Sequence, residues 1–181
     1  MYEIRIHGRG GQGVKTTAYI LGRAGFLSGF KTQDFAIYGA ERRGAPVTSF
    51  CRMDKQEILS RGYIFEPDAI IVLDHTISEN VYLSGVKDNS VIIVNSPEAV
   101  KLHSDPKRKV YSVDATSIAL KNLGKPIPNA AILGGFLKVA KIFSLDALEE
   151  AIKVELQEEG HAEAVAGNIK ACEECLSKVK Y

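Results

Sequence analysis

The residues best suited to chemistry lie near the N-terminus, in the run Gly8-Arg-Gly-Gly-Gln-Gly13, called the glycine loop below. It separates a predicted strand, 2–7, from a predicted helix, 14–27. A glycine-rich turn from strand to helix leaves backbone N–H groups exposed where the helix dipole favours an anion. Without Cβ atoms, such a loop can also come close to a phosphate or to another backbone. We expect it to bind an anionic cofactor or a partner; the alternative is a tight turn that only packs strand on helix. The candidate cofactor-binding residues here are Gly8, Gly10, Gly11, Gln12, Gly13 and Val14.

Two nucleotide-binding motifs match the glycine loop in part. Its glycines satisfy G-x-G-x-x-G, and Asp34 follows about 20 residues later. The acid of a dinucleotide site should end a buried apolar strand, however, and the residues before Asp34 are mostly polar. A P-loop needs lysine directly after the last glycine, but Val14 stands there and Lys15 comes one residue late. Each helical residue turns by about 100°, so Lys15 should point away from a phosphate. A stand-alone nucleotide- or NAD(P)-binding enzyme remains an alternative function.

A second candidate region, residues 38–46, contains two adjacent arginines, Arg42 and Arg43, and is called the arginine segment. Pro46 stiffens its exit. Guanidinium groups can bind a phosphate or a carboxylate through two parallel hydrogen bonds. A solvated charged turn is the alternative, but surface ion pairs contribute only about 0–1 kcal/mol. We expect one arginine to face a shared cleft and the other to contact a neighbouring subunit.

The elements that must position these loops alternate between strand and helix. Short apolar runs at 69–74 and 91–95 are typical of strands buried on both faces of a parallel sheet. Residues 33–46 have no steady period, and we interpret them as a long functional loop. Further strands are predicted at 47–53 and 109–114, and helices at 76–86, 115–123, 129–143, 145–157 and 161–178. The pattern predicts a single α/β domain over residues 1–181, a three-layer α/β/α fold with a mostly parallel sheet. Its active face should lie at the carboxyl ends of the strands.

The composition argues against nucleic-acid-binding and transmembrane proteins. The 181 residues include 23 Lys+Arg and 22 Asp+Glu, a net charge of +1 that argues against nucleic-acid binding. The sequence has no apolar stretch long enough for a transmembrane helix. Three cysteines suit a reducing compartment, so we expect a cytoplasmic protein. Cys172 and Cys175 form a C-x-x-C, but they lie in a predicted helix and a cluster usually needs four thiolates. We expect no metal site and no catalytic residue on this chain.

The glycine loop followed by the arginine segment, which leads into a strand, resembles the gamma subunits of the 2-oxoacid:ferredoxin oxidoreductase family. The resemblance covers the whole chain. The sequence Glu41-Arg-Arg-Gly-Ala-Pro46 is more similar to the pyruvate type (pyruvate synthase) than to the 2-oxoglutarate type.

The resemblance implies one subunit of a hetero-oligomeric enzyme, inactive alone, with alpha, beta and delta subunits as partners. Such enzymes decarboxylate a 2-oxoacid on thiamine diphosphate, pass electrons through iron–sulfur clusters to ferredoxin, and transfer the acyl group to coenzyme A. With pyruvate the product is acetyl-CoA. The resemblance places thiamine diphosphate, Mg²⁺ and the clusters on other subunits, so this chain alone should bind no cofactor. A binding module without a redox role is a further alternative.

Coenzyme A is the ligand for which the chain has suitable groups. It carries a diphosphate and a 3′-phosphate, so its site needs several cations or backbone donors. We expect the glycine loop, with Arg42 or Arg43, to help hold coenzyme A or to shape its channel.

Overall fold

Six strands form one mixed sheet in the computed structural model, which describes residues 1–37, 43–105 and 108–180. The strands are β1 (Tyr2–Arg9), β2 (Lys31–Ala36), β3 (Pro46–Asp54), β4 (Ala69–Val72), β5 (Val91–Asn95) and β6 (Tyr111–Val113). Their order is β2-β3-β1-β4-β5-β6. β1, β4, β5 and β6 pair in parallel, and β3 runs antiparallel to both β1 and β2. The predicted, mostly parallel α/β sheet is confirmed.

The helices pack mainly on one face of this sheet. They are α1 (Val14–Leu27), α2 (Glu79–Tyr82), α3 (Ala115–Leu123), α4 (Asn129–Ala140), α5 (Leu145–Glu158) and α6 (Val165–Lys178), the last preceded by a 3-10 turn, Ala162–Ala164. α1 packs on β1, β2 and β3, α4 packs on β5 and β6, and α5 and α6 pack against these two helices. The opposite face carries a smaller apolar cluster, to which α2 and the loops around it contribute Ile77, Tyr82 and Leu102. In the part of the chain that the structure describes, one of the two predicted helical layers therefore consists of the short helix α2 and loops.

Two predicted elements differ from the structure. The expected loop at 33–46 begins as strand β2, which pairs with β3 in the register Asp34↔Cys51 and Phe35↔Phe50. β2 is an edge strand whose side chains are mostly half-buried, so its sequence lacks a clear apolar alternation. The predicted helix at 76–86 is confined to Glu79–Tyr82, because Gly85 soon follows with a φ of 71°.

Candidate functional site

The glycine loop joins β1 to α1 and needs its glycines for two reasons. Gly11 and Gly13 adopt positive φ angles of 94° and 74°, which residues with a Cβ rarely adopt. A Cβ on Gly8 would lie 2.5 Å from Cγ2 of Val14, so Gly8 permits the close packing of strand on helix. Gly13 immediately precedes α1, whose first-turn N–H groups have no acceptor within the helix. The geometry provides both the tight turn and a set of donors suited to an anion.

Gln12 and Val14 hold the loop from within. The side-chain Oε1 of Gln12 accepts a hydrogen bond of 2.7 Å from the backbone N–H of Arg9, and its Nε2 donates to Asp74 at 3.0 Å. Val14 is buried, and its carbonyl accepts a 2.7 Å hydrogen bond from the hydroxyl of Ser49 on β3. These two candidate residues thus fix the loop through interactions inside the protein.

The glycine loop lies beside residues 43–46, the described end of the arginine segment. The N–H of Gly10 donates to the carbonyl of Ala45 at 2.9 Å, and the N–H of Gly44 donates to the carbonyl of Gly10 at 3.1 Å. Arg43 is exposed, and its Cγ lies 3.8 Å from the place a Cβ on Gly11 would take. The structure therefore brings together two regions that the sequence suggested separately. Arg42 lies outside the described residues.

Asp74, just after β4, connects both regions to the carboxyl end of the sheet. Its Oδ2 accepts hydrogen bonds from Arg9 Nε at 3.1 Å and from Gln12 Nε2 at 3.0 Å. Its Oδ1 accepts from the N–H and the hydroxyl of Thr76 at 2.9 and 2.6 Å. Burial opposes ionisation of Asp74, but the hydrogen bonds from Thr76 and Gln12 and the charge of Arg9 prevail and lower its pKa below 3.8. The carboxylate therefore remains ionised at neutral pH.

A cleft of about 700 Å³ opens beside the glycine loop. Its walls come from the first turn of α1, the connection between α3 and α4, the end of α5 and the start of α6. Lys15 lines this cleft, although the sequence predicted that it points away from the loop's anion, because the cleft borders the whole first turn of α1. Lys125 adds a second cation, and Leu123, Ile127 and Leu156 add apolar surface. The carboxylates of Glu159 and Glu163 also line the cleft, so its walls combine both signs of charge with apolar surface, a mixture that suits a ligand with charged groups and an uncharged organic part.

Asn129 lies on the wall of the cleft directly behind Gly13. Its side chain is held by a 2.8 Å hydrogen bond from the backbone N–H of Ala130 to its Oδ1, and the residue is 7% exposed. That bond turns the amide Nδ2 toward Gly13. No motif in the sequence indicates that the α3–α4 connection and α6 line the cleft, and their residues lie more than a hundred positions from the glycine loop.

The structure completes neither nucleotide-binding motif. Asp34 lies on edge strand β2, which β3 separates from β1, so it is not adjacent to the strand that carries the glycine loop. It lies against Gly22 instead; burial and the charge of Glu155 raise its pKa to about 6, although Arg23 opposes the shift. The hydroxyl of Thr16, which a P-loop would need for its metal, donates to the carboxylate of Glu159 at 2.9 Å.

The cysteines do not fit an iron–sulfur cluster. Cys51, Cys172 and Cys175 are all buried. Burial is also the main cause that raises the pKa of the Cys175 thiol to about 12 and that of Cys172 further, so both remain protonated. Across the described ranges, no three His, Cys, Asp or Glu side chains are grouped as a metal site would require. None of the helices in those ranges combines the length and apolar character needed to cross a bilayer.

Comparison with known proteins identifies the family. Residues 3–177 match the family described as pyruvate ferredoxin/flavodoxin oxidoreductase. The chain is 48% identical to the pyruvate/ketoisovalerate oxidoreductases common subunit gamma of Pyrococcus furiosus, over 84% of this chain and 85% of that protein. It is 46% identical to pyruvate synthase subunit PorC of Methanocaldococcus jannaschii, over 84% of each. The crystal structure of pyruvate oxidoreductase subunit PORC from Thermotoga maritima superposes with a TM-score of 0.81 at 30% identity, covering 99% of this chain and 97% of that one. The chain thus belongs to the pyruvate ferredoxin/flavodoxin oxidoreductase family and corresponds to its gamma, or PorC, subunits.

Proposed function

We propose that this gamma subunit supplies one wall of the cleft in which a pyruvate:ferredoxin oxidoreductase converts a 2-oxoacid to its acyl-CoA and passes the electrons to ferredoxin. Its partners would be the alpha, beta and delta subunits of the same enzyme. Thiamine diphosphate, Mg²⁺ and the iron–sulfur clusters would lie on those subunits. The supporting observation is the pair of hydrogen bonds that joins Gly10 to Gly44 and Ala45, because it brings the glycine loop and the end of the arginine segment together at the carboxyl end of β1.

Coenzyme A is the ligand that we assign to the glycine loop and the adjacent cleft. The first turn of α1 and the positive end of its dipole suit a phosphate, and Arg43 beside Gly11 can add a charge-assisted hydrogen bond. Lys15 and Lys125 border the adjacent cleft, whose apolar residues can contact the uncharged part of the ligand. In this role the chain binds and orients coenzyme A and excludes water; the chemistry of decarboxylation and electron transfer is supplied by the cofactors of the partner subunits.

Co-purification tests the subunit assignment. The chain is expressed with an affinity tag, alone and together with the alpha, beta and delta subunits. We expect it to co-purify with all three, and pyruvate-dependent reduction of ferredoxin to require its presence. The isolated chain should bind neither NADH nor ATP at micromolar concentrations. Micromolar binding of either nucleotide by the isolated chain, together with full activity of a complex that lacks it, would overturn the assignment.

A further inference from the structure

The carboxylate of Asp74 uses its two oxygens for different tasks. Oδ1 accepts both hydrogen bonds from Thr76, two residues away, and closes the turn after β4. Oδ2 accepts from Arg9 and Gln12, which lie 65 and 62 positions away in the sequence. Only 15% of the Asp74 side chain is exposed. One oxygen therefore serves the local turn, and the other holds the glycine loop.

Arg9 extends this connection to the arginine segment. While Nε of Arg9 donates to Asp74, one of its terminal nitrogens donates to the carbonyl of Gly44 at 3.3 Å, and the other donates to Thr76 at 2.9 Å. The guanidinium thus contacts the turn after β4 and the arginine segment at once, and Asp74 fixes its orientation. An ion pair of this exposure adds little to global stability, so its main consequence is the geometry of the loops.

We propose that Asp74 is a positioning residue for the coenzyme A site: through Arg9 and Gln12 it sets the spacing between the glycine loop and residues 43–46 of the arginine segment. The ligand in this inference rests on the proposed function, whereas the coupling of the loops does not. Without the Asp74 carboxylate, Arg9 loses its orientation and Gln12 loses one of its two bonds. The donors around Gly11 and the side chain of Arg43 then no longer converge on one ligand.

Limited trypsin digestion of the isolated chain tests the coupling directly, because Arg43 precedes Gly44 and Ala45, whose hydrogen bonds with Gly10 hold this stretch against the glycine loop. The variant is Asp74→Asn. The matched control is Asp68→Asn, at the opposite end of β4, where Asp68 accepts hydrogen bonds from the N–H of Glu3 at 2.8 Å and from Lys87 at 2.7 Å. Asp74→Asn weakens the charge-assisted bond that orients Arg9 toward Gly44, so we expect cleavage after Arg43 to accelerate about tenfold or more in this variant only.

A second variant, Gln12→Met, removes the link from Gln12 to Asp74, together with the bond that Gln12 accepts from the backbone N–H of Arg9, but leaves the bonds between Asp74 and Thr76 intact. It keeps the test decisive should Asp74→Asn fail to fold. We expect cleavage after Arg43 to be faster in Gln12→Met as well, and to keep the wild-type rate in Asp68→Asn. Wild-type cleavage rates in the folded Asp74→Asn and Gln12→Met variants, or equal acceleration in Asp68→Asn, would overturn the inference.

The assembled enzyme separates this inference from the proposed function. We expect Asp74→Asn to raise the KM for coenzyme A about tenfold, with the KM for pyruvate unchanged and Asp68→Asn without effect. Faster cleavage after Arg43 combined with an unchanged KM for coenzyme A would support the coupling of the loops and refute coenzyme A as their ligand. A rise in both KM values would refute a specific positioning role.

Discussion

Gly13 and Asn129 are packed so closely that a Cβ on Gly13 would lie 2.5 Å from the Asn129 amide nitrogen. Gly13 is the residue before α1, and Asn129 is the first residue of α4. Their contact joins the two helices that cover the sheet, at the wall of the candidate cleft. Glycine is therefore required at position 13 for two reasons: the backbone has a φ of 74°, and Asn129 leaves no space for a Cβ.

Substitution of Gly13 by alanine separates these two requirements when it is compared with Gly124→Ala. Gly124, at the end of α3, has a similar φ of 69° but no heavy atom within 4 Å of an added Cβ. Gly124→Ala should lower the free energy of unfolding by about 1–2 kcal/mol, because only the left-handed conformation opposes the added Cβ. Gly13→Ala should cost about 1–3 kcal/mol more, because the side chain of Asn129 must move. Urea denaturation of the isolated variants measures the difference, and equal losses would refute the close contact.

Loss of whichever arginine binds coenzyme A, Arg42 or Arg43, should weaken that binding. In the reconstituted enzyme we expect Arg42→Ala or Arg43→Ala to raise the KM for coenzyme A about 10- to 150-fold, since a charge-assisted hydrogen bond contributes about 1.5–3 kcal/mol. The KM for the 2-oxoacid should not change. Steady-state kinetics with one substrate varied at a time gives both constants.

Arg61→Ala is the control for these variants. Arg61 is also an exposed arginine in a loop, and it donates to the nearby carbonyls of Ile58 and Ser60. It should leave both KM values unchanged. If Arg42→Ala and Arg43→Ala assemble normally and leave the KM for coenzyme A unaltered, the arginines do not bind it, and the glycine loop is better explained as a subunit contact.

The sequence predicted the parts of this site that depend on local residue types. The glycine cluster and the strand-length apolar runs indicated the β1–α1 turn and the parallel strands, since each depends on neighbouring residues. The edge strand β2 was missed because, within the described residues, one side of it pairs with no strand and its residues need not alternate.

Interactions between distant residues could not be predicted in the same way. The link from Arg9 to Asp74 and the contact of Gly13 with Asn129 depend on how the sheet and the helices pack. No spacing in one sequence encodes such packing. Lys15 illustrates the point: the sequence places it in the first turn of α1, but only the packed structure shows that the cleft extends around that turn to residues of α5 and α6.

Assembly should protect the arginine segment from proteolysis. If the glycine loop and the arginine segment face partner subunits, trypsin should cleave after Arg42 and Arg43 in the isolated chain and much more slowly in the assembled enzyme. Mass spectrometry of timed digests locates and quantifies the cleavage. Equal rates at these two sites in both states would count against burial of the segment in the complex.

Asp34 provides a prediction about pH that also bears on the rejected dinucleotide site. Burial and the charge of Glu155 raise its pKa from 3.8 to about 6, and Arg23 opposes the shift. The folded state therefore holds this proton more tightly than the unfolded state. It follows that Asp34 lowers the stability progressively as the pH rises from about 4 to about 6, and by a constant amount above that.

Asp34→Asn removes this ionisation while keeping nearly the same shape. Above pH 6 we expect the variant to be more stable than the wild type by about 1–2 kcal/mol, a value that allows for the partial solvent screening of Asp34. The gain should shrink between pH 6 and pH 4 and vanish below pH 4, where the carboxyl is protonated in both states. Urea denaturation at several pH values measures it, with the exposed Asp88→Asn as the control. A stability difference that does not depend on pH would show that Asp34 is ionised as readily in the folded protein as in the unfolded chain. Enzyme activity should be retained, because Asp34 lies on the edge strand, away from the glycine loop and the arginine segment.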